Sequence, residues 1–368
     1  MPRTMTLPER DTNGIIAALL RDFASIQKSK PSEWGYKRAA ATIFALDEPI
    51  EALLEPDGAL PKIENIGPKS AQVILEVLET GGSETVEDAV RKSGQASEIE
   101  KKRALRDHFL SRAQVVAALR NERLTGPSLE DYRGDLQMHS IWSDGDQTPD
   151  DIAAAALARD YEYCALTDHS YGLKIARGVS MADIVTQQRD IDRVNEKHSG
   201  RFRLIKGIEA NIRADGSVDL TPDELTQFEL VVAAAHSGLR SDGDQTSRML
   251  QAIVTPGVHI LGHPRGRQYG SRAGVQADWD VVFAGAARFN VAIEIDGDPA
   301  RQDVDYTLAP RAVAAGCLIA LDSDAHATVE LRYAETAIAH ARLGGVPTDR
   351  VINCWPLDRL LAWLGDRR

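Results

Sequence analysis

From about residue 131 the chain repeats one pattern: a short apolar run that ends in a side chain able to bind a metal. Stretches rich in Ala and Arg, of helical character, separate the runs. In order the runs are GDLQMH (His139), YCALTDH (His169), LIKGIE (Glu209), LVVAAAH (His236), VHILGH (His263) and LIALDSDAH (Asp324, His326). A further run, VAIEID, ends in Glu294 and Asp296 and shares the layout without being assigned as a ligand. Short buried strands alternating with helices predict a parallel sheet, either open or closed into a barrel. Chemistry in such folds gathers at the carboxyl ends of the strands, where these residues fall.

Taken singly, a His or Asp is more often a satisfied polar residue than a ligand. Repetition at equivalent places changes that balance, because buried carboxylates and imidazoles are costly without a counter-charge and a metal cluster removes the cost. In a strand, residues two apart face the same side, so Gln137 pairs with His139 and Asp324 with His326. Asp144 follows in the loop SDG. Imidazole and carboxylate ligands without thiolate suit zinc, manganese or iron. His259 is expected to be a packed core residue, and His108, His198 and His340 ordinary surface residues. Arg265, Arg267 and Arg272 after His263, and Lys174 and Arg177 after the second strand, are placed to receive phosphate.

The formal charge of −12 argues against broad attraction to nucleic acid or anionic lipid. Most of the deficit lies in the second part of the chain, where acidic residues around cations are expected. The three cysteines are scattered, with no CxxC pair. No apolar run reaches the ~18 residues that cross a bilayer, and no signal peptide opens the sequence. The expectation is a cytoplasmic protein with no membrane partner.

The first few residues read as a disordered start, and from Asn13 the pattern turns helical (IIAALLRDFASI, GYKRAAATIFAL). ALPKIENIGPKSAQVILEVLETGG reads as two helical stretches joined at Asn65-Ile66-Gly67-Pro68. Pro68 fits the first turn of the second. The domains expected are 8–92, helical; 93–129, a helical connector with its linker near ERLTGP; and 130–368, the strand–helix repeat.

GDLQMHSIWSDG, ALTDHS, KGIEANI, AAHSG, GHPRGR and DSDAH together resemble the motifs of the PHP (polymerase and histidinol phosphatase) family. They are most similar to the PHP domain of bacterial family X DNA polymerases, over roughly Glu130 to Leu364. The resemblance implies an α/β fold: a distorted (β/α)7 barrel holding two to three divalent ions (Mn²⁺, Zn²⁺ or Fe²⁺), preceded by a small all-α domain. It implies one ion on Gln137, His139, Glu209 and Asp324, and a second on Glu209, His236 and His263. A third would sit on Asp144, His169 and His326. Asp168 would orient a ligand. Gln137 departs from the motif, which commonly has His there. Asp144, His169, Glu209 and Asp324 would act through a metal-activated water, with Arg267 on the phosphate.

The amino-terminal segment resembles the helix-hairpin-helix domain of the same polymerases, which binds DNA backbone without reading sequence. The resemblance makes Gly67 and Lys69 the hairpin's DNA contacts and places Tyr36 and Lys69 at a 5′-phosphate pocket. Val73 stands where related enzymes carry a lyase lysine, so lyase activity is not expected. Asp296 and Asp298 are spaced like a polymerase carboxylate pair but lie within the barrel pattern, and the connector is too short for a polymerase palm. The resulting expectation is a metal-dependent phosphoesterase acting on DNA ends, nucleoid-associated if so: a 3′-5′ exonuclease, a 3′-phosphatase or phosphodiesterase, or an abasic-site endonuclease. The alternatives are a small-molecule phosphatase of histidinol-phosphatase type and a non-catalytic DNA-binding scaffold.

Overall fold

A computed structural model describes residues 10–366. The expected disordered start and residues 8 and 9 lie outside the described residues. Two compact units divide the chain: the first runs to Asn121 and includes Tyr269–Ser271, and the second comprises Glu122–Gln268 and continues from Arg272.

The first unit is helical: α1 Thr12–Ser25, α2 Lys30–Phe44, α3 Pro68–Thr80, α4 Glu84–Ser93, α5 Ala96–Ala104 and α6 Arg112–Arg120. Ile16, Leu20, Ile43, Val73, Ile74, Val86 and Ile99 make its core, one apolar stripe from each of α1 to α5. The stretch 93–129, expected as a connector, belongs to this unit as far as Asn121. Arg103 of α5 and Arg106 just after it both pair with Asp22 of α1, which is buried. The helical stretch expected before Asn65 is absent: residues 54–67 form turns and extended chain. Pro56, Gly58 and Pro61 interrupt the backbone there, so Leu60, Ile63 and Ile66 pack on the core without forming a helix. Asn65 adopts φ 62 and Gly67 caps α3, with Pro68 in its first turn.

The second unit is a parallel seven-stranded sheet in sequential order: β1 Gly134–Asp135, β2 Tyr163–Leu166, β3 Arg203–Asn211, β4 Leu230–Ala234, β5 Ile260–Gly262, β6 Ala292–Asp296 and β7 Ile319–Asp322. Its strands are buried on both faces, which accounts for their continuous apolar runs. β3 changes partner midway, pairing β2 over Arg203–Lys206 and β4 over Gly207–Asn211. At Gly207 a Cβ would stand 2.8 Å from the Leu166 carbonyl oxygen, so only glycine permits that crossing. Beneath the sheet, Leu136, Tyr163, Ile205, Leu230 and Ile260 pack against Ile352, Trp355, Leu360 and Trp363 of the carboxyl-terminal segment. The helix Leu357–Gly365 thus closes the amino-terminal end of the barrel.

No ladder joins β1 to β7, and the barrel is nearly closed instead by one bridge, Met138↔Ala325, and by side chains. Asp322 accepts Leu136 N at 2.9 Å, and Asp135 accepts Ser323 N at 3.2 Å. Asn353 spans the seam: Nδ2 donates to Gly134 O (3.0 Å), Leu321 O (2.8 Å) and Asp322 Oδ1 (2.8 Å), while Oδ1 accepts Leu321 N (2.7 Å). Asn353 is fully buried, so truncation removes the acceptor of Leu321 N and the donor to Gly134 O, while Leu321 O keeps the Tyr132 hydroxyl and Asp322 Oδ1 keeps Leu136 N. Asn353→Ala should cost about 1–3 kcal/mol, read as a lower urea midpoint at unchanged m-value; an unmoved midpoint would show that the seam does not depend on it.

His259 is buried as expected, with Nε2 3.0 Å from Leu364 O. His340 is not a surface residue. It is fully buried, its Nδ1 accepts Tyr306 N at 3.1 Å, and its Nε2 lies 2.8 Å from Gln302 Oε1. Nearly every residue of its helix (Ala334–Leu343) is buried, and the Tyr306 ring covers His340, centroids 5.7 Å apart.

Candidate metal centre

Strand ends deliver the side chains to one place. His139 follows β1, His169 follows β2, and Glu209 lies inside β3 rather than at its end, because β3 extends to Asn211. His236, His263 and the Asp324–His326 pair follow β4, β5 and β7. Alternation breaks at two of them: His263 has φ 24 and Asp324 has φ 53, backbone conformations that cost about 1–3 kcal/mol and collect at functional sites.

Glu209 is the hub. Its Oε1 lies 3.2 Å from His236 Nε2 and 3.0 Å from His263 Nε2; its Oε2 lies 2.9 Å from His169 Nδ1 and 3.4 Å from His139 Nε2. Three groups of donor atoms lie within 4.8 Å of one another: His139–Asp144–His169–His326, His169–Glu209–His236 and His139–Glu209–Asp324. The structure therefore brings together every His, Asp and Glu of the expected set. His139 and His169 each belong to two groups, and His263 joins through Glu209 alone.

Several of these contacts are short without being hydrogen bonds. Glu209 Oε2 and His169 Nδ1 approach to 2.9 Å, yet neither is aligned as a donor–acceptor pair, and His236 Nε2 is likewise unsatisfied. Orphaned buried polar atoms are costly and rare. A cation shared among them removes the cost, so the residues present fit divalent metal ions. Gln137, two residues before His139, is fully buried with both amide atoms unpartnered.

Charge distribution differs across the cluster. Burial opposes ionisation of Glu209, but His169 and His236 hold it well below the usual carboxylate range. Burial also opposes ionisation of Asp144, yet its bond to His326 and the charges of His169 and His139 bring it to about 2. Burial pushes His236 down to about 4, so it stands neutral and able to bind a cation. Around His326 burial is outweighed by Asp144 and Asp324, which push it up to about 9.

Supporting groups surround the cluster. Asp168 does not touch His169 by a hydrogen bond; it accepts from Ser140 N (2.7 Å), Ser140 Oγ (2.7 Å), Ser143 Oγ (2.6 Å) and Gln187 Nε2 (2.7 Å). It therefore fixes the loop that carries Asp144. Asn211 Oδ1 lies 3.2 Å from His236 Nδ1 and Glu294 Oε2 accepts His263 N, two roles that sequence reasoning missed. Asn211 lies within the quoted KGIEANI motif, two residues after Glu209 in the same strand, which was the available signal.

Arg265 and Arg267, expected to receive phosphate, are both paired with acidic residues of a later loop. Arg265 Nε meets Asp303 Oδ1 at 3.0 Å and its Nη2 meets Asp305 Oδ2 at 2.6 Å. Arg267 is buried and bonds Gln302 O (2.7 Å), Arg301 O (3.0 Å) and Asp305 Oδ2 (3.1 Å). Both bind one loop to another. Arg272 is half-buried and donates to Gly266 O. Lys174 and Arg177 are exposed on the loop after β2.

Away from the barrel, Gly67 and Lys69 are exposed at the start of α3, with Lys69 Nζ 2.9 Å from Gln72 Oε1. Tyr36 is half-buried against Phe23, ring centroids 4.7 Å apart. Asn65 Nδ2 donates to Thr42 Oγ1 at 3.2 Å, fixing the turn before α3 to α2. Among the described residues no helix is long and apolar enough to cross a membrane.

No family model matches the chain. It is 34% identical over 237 residues to the DNA polymerase/3′-5′ exonuclease PolX of Bacillus subtilis, a match covering 64% of this chain and 41% of that protein. It is 30% identical over 250 residues to a probable phosphatase of Citrobacter koseri, covering 64% of this chain and 95% of the relative. Among solved structures it is similar to histidinol phosphate phosphatase from Lactococcus lactis, crystallised with zinc, L-histidinol and phosphate. That likeness has 17% identity and a TM-score of 0.42, over 56% of this chain and 92% of the other.

Proposed function

The chain belongs to the PHP family of metal-dependent phosphoesterases, and from that premise we propose that it processes DNA ends. Cleavage of 3′-terminal phosphoesters is the ranked first activity. One observation carries the reading: a relative 34% identical over 237 residues is a DNA polymerase/3′-5′ exonuclease. The form of the barrel mouth supports it. Ile175 after β2 is 92% exposed, Val329 after β7 is 73% exposed and Ile141 after β1 is 52% exposed. Exposed β-branched residues on three neighbouring loops suit an open mouth that meets a long substrate. Lys174 and Arg177 on the same rim add positive charge where a strand's phosphates would pass. In the helical unit, the exposed turn Asn65–Gly67 and Lys69 offer a phosphate contact at the start of α3.

The cluster residues divide the work. Gln137, His139, Glu209 and Asp324 would hold one ion, Glu209 with His236 and His263 a second, and Asp144 with His169 and His326 a third. Bound divalent ions supply Lewis acidity and a water ionised near neutral pH for attack at phosphorus. Glu209 directs one oxygen to each half of the cluster and so sets the spacing. Asp168 keeps the Asp144 loop closed over it, and Asn211 holds His236 with Nε2 inward.

A second reading, a small-molecule phosphatase of histidinol-phosphatase type, is favoured by the 95% coverage of the probable phosphatase. One experiment separates the two. Purified chain is incubated with 3′-end-labelled single-stranded and recessed DNA, with Mn²⁺ or with a chelator, beside histidinol phosphate in the same buffers. Metal-dependent DNA shortening, slowed by Lys69→Ala while a chromogenic phosphoester is cleaved normally, is the expected result. Hydrolysis of histidinol phosphate alone would move the protein to the second reading.

A further inference from the structure

After β6 the chain doubles back on itself. Asp296 Oδ1 accepts Asp298 N at 2.7 Å, Asp298 Oδ1 accepts Ala300 N at 2.9 Å, and Arg301 N donates to Asp298 O at 2.8 Å. These turns return Arg301 over the barrel mouth. Its Nε stands 3.6 Å from Asp296 Oδ2 and 3.5 Å from Asp298 Oδ2, and its Nη2 stands 3.0 Å from Asp324 Oδ2. Arg267 bonds the Arg301 carbonyl at 3.0 Å, and Arg265 anchors Asp303 and Asp305 further along the loop. Three carboxylates around the guanidinium and a buried arginine on the carbonyl are therefore arranged to place Arg301.

The two oxygens of Asp324 face different neighbours. Oδ1 points at His139 Nε2, 3.0 Å away, inside the His139–Glu209–Asp324 group. Oδ2 faces Arg301 as a close ion pair that is not aligned as a hydrogen bond. A carboxylate with both oxygens free can bind a divalent ion with either one or two of them. Here one is already engaged.

Resting on the reading of this cluster as a metal centre, we propose that Arg301 is a positioning residue that reserves Asp324 Oδ2, leaving Asp324 a one-oxygen ligand, and whose fixed charge keeps the bound cation loosely held and electron-poor. The sign follows from Coulomb's law: a full positive charge beside a ligand opposes a divalent ion, and removing it strengthens ion binding. A second oxygen donated by Asp324 then lowers the ion's power to polarise phosphate. An arginine that only supports the scaffold predicts the opposite, since its loss would scatter the ligands and weaken binding.

The test uses the full chain with Mn²⁺ as the probe. Dissociation constants and stoichiometry are measured by equilibrium dialysis with metal analysis, and kcat and KM on bis(p-nitrophenyl) phosphate. Arg301→Gln should bind Mn²⁺ about tenfold more tightly, at unchanged stoichiometry and with a lower kcat. Arg301→Lys keeps the charge and should keep wild-type affinity, which makes it the control if Arg301→Gln folds poorly. Weaker binding, a lost ion or unchanged affinity in Arg301→Gln overturns the proposal, as does a tenfold change in either direction in Arg301→Lys. A wild-type chain that binds no Mn²⁺ overturns the metal-centre reading itself, and does so before any variant is compared.

Discussion

Glu209→Gln should stop phosphoester hydrolysis while leaving the fold intact. Gln has the size and shape of Glu, so the buried site loses no volume; it loses the negative charge and one of two oxygens that face four histidines. Changes in groups that merely orient metal ligands cost about 10–100-fold. Loss of the bridging charge should cost about a hundredfold or more in kcat, with fewer ions bound per chain. Initial rates on bis(p-nitrophenyl) phosphate, metal analysis and circular dichroism read the three quantities separately. Full activity in Glu209→Gln would show that the hub assigned to Glu209 is wrong.

Removing metal should be nearly as severe, and for stability as well as activity. Glu209 and Asp324 are buried with histidines whose ring nitrogens lack hydrogen-bond partners, an arrangement that a cation stabilises. An ion that binds only the folded chain adds about 2.7 kcal/mol at a hundred times its dissociation constant. For a unit of this size that corresponds to roughly 5–11 °C in Tm. Chelation followed by dialysis should lower Tm by that order, and Mn²⁺ or Zn²⁺ should restore it in a concentration-dependent way. A melting curve indifferent to both chelator and metal would argue against a resident ion.

Much of the barrel was legible because parallel strands buried on both faces write themselves as uninterrupted apolar runs, and each run stops at a polar residue. Those stops marked the strand ends, and with them the cluster. What escaped depended on where loops go after they leave the strand. Arg265 and Arg267 follow His263 directly and so read as groups facing the site, yet Asp303 and Asp305, nearly 40 residues on, engage them. Arg301 read as nothing, because its position depends on successive turns built from Asp296 and Asp298. His340 read as exposed because the apolar surface that covers it comes from elsewhere in the chain. In the helical unit, Leu60, Ile63 and Ile66 have helical spacing but bury themselves from an extended backbone, since Pro56, Gly58 and Pro61 deny them a helix.

Among the described residues the barrel has one joint closed by a lone backbone bridge instead of a ladder, between β1 and β7, and the cluster straddles it. His139 leaves one side of that joint; Asp324 and His326 leave the other. Any ion gripped jointly by His139 and Asp324 would clasp the two edges beside the single bridge, Met138↔Ala325, that joins their backbones. Occupancy of the site and the integrity of the barrel wall would then be a single equilibrium, and breathing of the wall would be the natural route for an ion to leave.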